Sequence, residues 1–437
     1  MENGIDKLIS QKIEAMKNGT NVYQTGHVIA VRDYIVEISG MEQVSYFERV
    51  VIGSDSEGYV DAIGRTSVMV ALTKKGSKIH IGDEAVAMGE EFQLTFSEES
   101  IGHVVDIFGE DKLMGQRFAD SIQLPIETPA IPIMVRSSVV RPLLTGISGI
   151  DMLYPIGRGQ RQLIIGDKKT GKSQIALDAI ANQKDQNMLC IYVAVGKTKK
   201  EVKDVYNQLL KQGAMGYTII FAAFNDECAP VLEKTPYAAM TVAEHYMRQG
   251  RDVLVVIDDL KRHADVHREI SLLSGKVPGR DAYPPDIFYA HARLLEKGCQ
   301  HMDGGSISIL PICETKGGDI TDYISTNIIS ITDGQIVLSA RSFEQGQKPA
   351  INYGLSVSRL GGAVQTPEMK KRGSVVRRDL LSYLEQKEIF ELANMDEMSQ
   401  DLRDHMLRGA KILENLKQYK FALRTPEEML RSFEGMY

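Results

Sequence analysis

Gly166-Asp167-Lys168-Lys169-Thr170-Gly171-Lys172-Ser173 has the spacing GxxxxGK[ST]. Glycines at those positions let the backbone turn its N–H groups around a triphosphate tail. A lysine at position 172 reaches the β- and γ-phosphates, and a hydroxyl at 173 can sit on Mg²⁺. The flanks suit such a loop. Arg161-Gln162-Leu163-Ile164-Ile165 is a short apolar run fit for a buried strand. Gln174–Ile180 has helical spacing, with Ile175, Ala176, Ala179 and Ile180 on one face. Strand, glycine loop and helix N-terminus together make an anion site. The expected ligand is therefore Mg-ATP or Mg-ADP; the bland alternative is a glycine turn with two solvated lysines.

Three further positions bear on that chemistry. Val253-Leu254-Val255-Val256-Ile257-Asp258-Asp259 is an apolar run ending in two carboxylates. At a strand's C-terminal edge Asp258 can hold Mg²⁺ through water, beside Ser173; otherwise it is a solvated strand-end acid. Hydrolysis also needs an acceptor to orient the attacking water, and the next strand edge reads Ala194-Val195-Gly196-Lys197. Lys197 is a cation without an acceptor, so it binds phosphate and cannot act as a base while charged. Glu201, four residues on, is expected to point elsewhere. The spacing thus predicts a site that holds a nucleotide without turning it over. Finally, Arg359 lies in the small, glycine-bounded stretch 354–362. Such an arginine either closes a structural salt bridge or projects across a subunit boundary towards transition-state charge.

Several kinds of element must position these residues. Residues 1–22 show helical spacing at Ile5, Leu8, Ile9, Ile13 and Met16. Residues 23–90 drop to period two, with short runs broken by Gly53, Gly58, Gly64 and Gly76, which suggests a β-barrel. From 91 to 370 strands alternate with helices expected at 199–212, 235–249 and 263–274, the pattern of a parallel α/β sheet. Residues 371–437 return to three- and four-residue apolar steps, predicting a short helical bundle. The fold class read here is multidomain α/β with those three domains after an N-terminal helix.

Bulk composition limits the function classes. The formal charge of -7 argues against a nucleic-acid coat. No signal-peptide pattern opens the sequence, and no apolar run approaches the length needed to span a membrane. Cys190, Cys228, Cys299 and Cys313 lack CxxC spacing, so free thiols are expected instead of a disulfide frame or zinc site.

Longer stretches, from about residue 25 to about 430, resemble the α subunit of F-type ATP synthase. They include Pro155-Ile156-Gly157-Arg158-Gly159-Gln160-Arg161, Pro278-Gly279-Arg280-Asp281-Ala282-Tyr283-Pro284, Ile329-Ser330-Ile331-Thr332-Asp333-Gly334-Gln335 and 349–359. The resemblance implies a β-barrel, a nucleotide domain and helical bundle, in a ring of three α and three catalytic β subunits around a γ-type shaft. It implies that this chain binds Mg-ATP without performing catalysis. Arg359 would then be an arginine finger completing the neighbouring β site, a device worth roughly 10³–10⁵ in rate in related enzymes. By the same resemblance Phe343, Lys348, Pro349 and Gln418 lie at the adenine, and Glu314 lies near the metal. The membrane would be reached only through partner subunits, at the cytoplasmic face of a bacterial cell membrane, with a peripheral stalk among those partners.

Departures from the family pattern are Lys169 and Lys197, where α subunits carry glutamine, Ser325 in place of proline, and Lys348 in place of arginine. The two lysines add charge around the phosphates, so tighter holding and slower exchange are expected than in a Lys169→Gln, Lys197→Gln double variant. The region after 370 and the N-terminus read as shortened, which leaves the stalk attachment open. Two alternatives follow: an α-like subunit of a specialised ATPase not coupled to proton-driven synthesis, and a self-sufficient homohexameric export-type ATPase. The latter needs a carboxylate where Lys197 stands.

Overall fold

The computed structural model describes residues 24–41, 43–389 and 400–436; the helix expected at 1–22 lies outside them. Six antiparallel strands come first: β1 (Thr25–Arg32), β2 (Ile35–Ser39), β3 (Glu48–Ile52), β4 (Ser56–Ile63), β5 (Ser67–Lys74) and β6 (Glu84–Glu91). They close in the order β1-β2-β5-β4-β3-β6. Period-two alternation explains the closure. Val68, Val70 and Leu72 point inward on β5, as do Val50 and Ile52 on β3. One glycine does not do what the spacing suggested. Gly58 lies within β4, not in a turn, because a Cβ there would overlap the carbonyl oxygen of Ala71 on β5.

The central domain is built on β7 (Val104–Val105), β8 (Leu163–Asp167), β9 (Met188–Lys197), β10 (Thr218–Phe224), β11 (Asp252–Asp258), β12 (Ser306–Thr315), β13 (Gly334–Leu338) and β14 (Val357–Ser358). Their order is β14-β13-β8-β12-β11-β9-β10-β7. Every neighbouring pair is parallel except β13 with β14. The helices needed to link parallel strands include α1 (Lys172–Ala181), α2 (Lys199–Lys211), α3 (Ala229–Arg248) and α4 (Leu260–Leu273). Both of the last two begin earlier than the spacing predicted. In α3, Pro230 falls in the first turn, where its missing N–H leaves no bond unmade. In α4, Asp259 caps the helix by accepting the Arg262 N–H at 2.7 Å.

Alternate residues of the strands feed two cores. Leu163, Ile165, Ile191, Val193, Val255 and Ile257 pack with α3, α4 and the barrel. Ile164, Cys190, Tyr192, Leu254 and Val256 pack with α1, α2 and the C-terminal helices. Each fully buried side chain contributes about 1.5–3 kcal/mol before chain entropy is set against it. Lys234 of α3 ties barrel to sheet. Its Nζ lies 4.6 Å from the Phe47 ring centre and 5.5 Å from that of Tyr59, and donates to Glu127 at 2.8 Å. The last domain is helical: α5 (Pro367–Ile389), α6 (Gln400–Leu416) and α7 (Pro426–Arg431), with Leu380, Ile412, Leu416 and Met429 in the second core. Barrel, parallel nucleotide-type sheet and helical bundle are the architecture expected from the sequence. All four cysteines are free thiols. Among the described residues no helix is long and apolar enough to cross a membrane.

Candidate nucleotide site

Gly166 and Asp167 end β8, and α1 starts at Lys172, so the glycine loop joins a buried strand to a helix N-terminus. Gly171 has φ 99° and Lys169 φ 65°. Glycine takes that conformation without a steric penalty, and it turns the chain tightly into the helix. Asp167 fixes the loop from below: its carboxylate accepts from the Thr315 hydroxyl at 2.7 Å and the Gly318 N–H at 2.8 Å. The Asp167 carbonyl accepts from Thr170 Oγ1 at 2.8 Å and from Lys172 Nζ at 2.6 Å. Lys168 and Lys169 are exposed, whereas Lys172 is buried. Burial lowers the Lys172 pKa, opposed by Glu314, Asp259 and Asp258.

Asp258, at the end of β11, is the hub of the polar cluster. Its Oδ2 accepts from Ser173 Oγ and from Tyr192 OH, each at 2.6 Å. Its Oδ1 pairs with Lys197 Nζ at 2.7 Å. Lys197 arrives there because β9 bulges at Gly196, which has φ 62°, just before the strand ends. Burial disfavours the Lys197 ammonium, but Asp258 and Asp259 outweigh it and raise its pKa. The adjacent Asp259 carboxyl is pushed up to about 6 by burial and by the charge of Asp258. Glu201 points away, closing a capping box with Thr198 at the start of α2. Glu314 sits on β12 opposite Gly166, one strand from the loop.

Beside the loop lies a cavity of about 350 Å³, within the range of small-molecule sites. Lys169, Thr170 and Gly171 form one wall; Phe343, Lys348, Pro349 and Gln418 form another. Residues nearly 250 positions apart in the sequence thus meet at one site. Lys348 Nζ stands 5.6 Å from the Phe343 ring centre and 5.8 Å from that of Tyr419. Gln418 lines the cavity, but its amide is committed to backbone. It accepts the Ser148 N–H at 2.7 Å and donates to the carbonyls of Gly146 at 2.9 Å and Ala422 at 2.8 Å. A largely apolar slot next to a phosphate loop fits a base and ribose with the phosphates on α1.

Tyr192, Asp178 and Tyr419 were missed by sequence reasoning. Tyr192 shares a strand face with Cys190 and Ala194, and a hydroxyl on that otherwise apolar face was the available signal. Asp178 lines the cavity and accepts the Phe421 N–H at 3.0 Å; burial raises its carboxyl to about 6.

Arg359 is not part of this cluster. It is exposed and follows β14; its N–H donates to the Asp333 carbonyl at 2.9 Å, and its Nη2 lies 3.4 Å from the Ile329 carbonyl. Asp333 in turn bonds Arg161, six residues before Asp167. At about 3.3 Å per strand residue, that puts the Arg359 backbone roughly 20 Å from the loop, at the opposite end of the sheet.

Residues 146–358 match the ATP synthase alpha/beta family, nucleotide-binding domain. This segment is therefore similar to the nucleotide-binding domain of that family. The match covers just under half of the 437 residues and ends one short of Arg359. It takes in β8, the glycine loop, Lys197, Asp258 and the Phe343–Pro349 wall of the cavity.

Proposed function

We propose that this chain is an α-type, non-catalytic ATP-binding subunit in the α3β3 ring of a rotary F-type ATPase. In that reading Arg359 serves the neighbouring β subunit. The observation that carries it is the opposition of the two functional ends. The glycine loop and Asp258 lie at the C-terminal edge of the sheet, while Arg359 projects from the N-terminal edge. No rotamer of one arginine spans roughly 20 Å, so Arg359 cannot act on phosphates held by its own chain. The second support is Lys197. A cation paired to Asp258 stands where a hydrolytic site would need an acceptor for the attacking water.

Ser173 and Asp258 stand where a nucleotide-bound Mg²⁺ would be held, and the two are already hydrogen-bonded to each other at 2.6 Å. Partner subunits, including a γ-type shaft and a peripheral stalk, would place the ring at the cytoplasmic face of a membrane. Lys197 also favours, over a self-sufficient homohexamer, a specialised ring in which this chain only stores nucleotide. The test is direct. The purified chain should bind ATP and hydrolyse it very slowly. Arg359→Ala in the assembled ring should lower turnover by roughly 10³-fold or more while bound nucleotide is retained. Robust hydrolysis by the chain alone, or an Arg359→Ala ring of undiminished rate, would reject the proposal.

A further inference from the structure

The Asp258 carboxylate has little room for a hydrated metal ion. Three groups already converge on it: Ser173 Oγ at 2.6 Å and Tyr192 OH at 2.6 Å on one oxygen, Lys197 Nζ at 2.7 Å on the other. A carboxylate offers about four lone-pair positions, so about one remains. Magnesium requires a near-ideal octahedron and keeps several waters, which need acceptors of their own. It would also sit beside an ammonium. Two cations a few ångströms apart at a site where Asp258 is 2% exposed repel strongly, because little water screens them.

From this geometry we infer that Lys197 is a resident cation in the metal position, and that this chain holds a nucleoside triphosphate without a divalent ion. The inference rests on the nucleotide-binding reading and goes beyond it by naming what replaces the metal. A lysine ammonium is a compact point charge with three donors on a flexible stem. One donor engages Asp258, and two remain for β- and γ-phosphate oxygens. Lys172 supplies a second fixed charge, and exposed Lys169 a third at the cavity wall. Tyr192 contributes by holding Asp258 from the buried side, which keeps the carboxylate turned to Lys197. The bulge at Gly196 makes the arrangement possible, since a strand continuing regularly would carry residue 197 past Asp258.

The experiment measures ATP affinity of the purified full-length chain by isothermal titration calorimetry, in excess Mg²⁺ and in excess EDTA. Wild type, Lys197→Gln and Lys197→Arg are compared. Removing the ammonium frees Asp258 for a metal, so Lys197→Gln should lose at least about tenfold in affinity when Mg²⁺ is withdrawn. Wild type and Lys197→Arg should each lose less than about threefold, because a side-chain cation remains in place. A readout independent of affinity is the electron paramagnetic resonance of Mn²⁺. It should broaden on Lys197→Gln with ATP by more than on wild type with ATP. A wild-type dependence on Mg²⁺ equal to or greater than that of Lys197→Gln overturns the inference. Absence of ATP binding by wild type in both buffers overturns the nucleotide reading itself, a distinguishable result. Loss of fold in Lys197→Gln would show as a collapsed unfolding transition. In that event wild type and Lys197→Arg decide alone: affinity retained or raised in EDTA supports the inference, and a loss of about tenfold or more overturns it.

Discussion

Arg161 and Asp333 grip each other through side chain and backbone at once. Arg161 donates from Nε at 2.9 Å, from Nη2 at 2.7 Å and from its backbone N–H at 3.0 Å to the two carboxylate oxygens of Asp333. The Asp333 N–H donates back to the Arg161 carbonyl at 2.8 Å, and the Asp333 carbonyl accepts the N–H of Arg359. One aspartate therefore sets both the strand that enters the glycine loop and the start of the segment bearing Arg359. Arg161 is restrained by a bidentate pair, the strongest form of charged hydrogen bond. Asp333→Asn should lower stability by roughly 1–3 kcal/mol in urea unfolding. It should also speed hydrogen exchange at the Arg359 amide relative to that of Ile165. Unchanged exchange at Arg359 would show that Asp333 does not hold the segment.

The two ends of the cavity wall should respond differently to truncation. Phe343 is partly exposed and presents a ring to the slot, so Phe343→Ala should weaken ATP binding by about tenfold with little change in melting temperature. Gln418 holds three backbone groups of the 146–148 and 422 segments. Gln418→Ala orphans them and should cost roughly 1–3 kcal/mol of stability as well as affinity. Calorimetric melting and ATP titration of both variants check this. An unaltered melting temperature for Gln418→Ala would mean its amide serves the nucleotide instead.

Much of this site was legible because its motif is local. The glycine loop needs one strand, one turn and one helix, all adjacent in sequence, and eight residues carry them. The place of Asp258 beside Ser173 was legible because an apolar run ending in acid reads as the C-terminal edge of a buried strand. The cavity wall was reachable only by resemblance: Phe343 and Gln418 are brought to Gly171 by tertiary packing that no periodicity encodes. Lys197 was read as a cation beside phosphate, but its pairing with Asp258 depends on a bulge that spacing cannot reveal. Gly58 shows the same limit in the barrel. A glycine in a turn and a glycine under a crossing backbone look alike until β4 and β5 are paired.

That pairing gives a sharp test. Gly58→Ala pushes a methyl group into the Ala71 carbonyl across the sheet, where neither backbone can retreat without breaking the ladder. Overpacking of this kind costs about 1–3 kcal/mol. Gly53→Ala in the same domain meets no atom within 4 Å but has φ 60°, so it should lose only about 1 kcal/mol through backbone strain. Chemical denaturation should rank Gly58→Ala as the worse of the two, and the reverse order would refute the assigned register.

Buried histidines on and beside α4 give the stability two opposed pH dependences that meet near pH 6.5. His267 Nδ1 lies 2.6 Å from Glu233 and Nε2 lies 3.0 Å from Asp286, so both ring nitrogens donate and the imidazolium is favoured. Burial opposes the charge, but the two carboxylates prevail and push its pKa up to about 9. Lys234, 3.6 Å from Glu233, also faces this cluster. His263 and His291 are buried without carboxylate contacts: burial lowers His263 to about 4 and His291 well below its ordinary value. For His267 the folded pKa exceeds the unfolded one, so its contribution is full below about 6.5 and disappears as pH rises through 9. The predicted slope there is about −1.4 kcal/mol per pH unit. For His263 and His291 the folded pKa is depressed, so stability falls as pH drops from 6.5 towards 4. Urea midpoints measured from pH 6.5 to pH 10 should show the alkaline fall. His267→Gln should flatten the alkaline side alone, and an alkaline slope that survives the substitution would exclude His267 as its source.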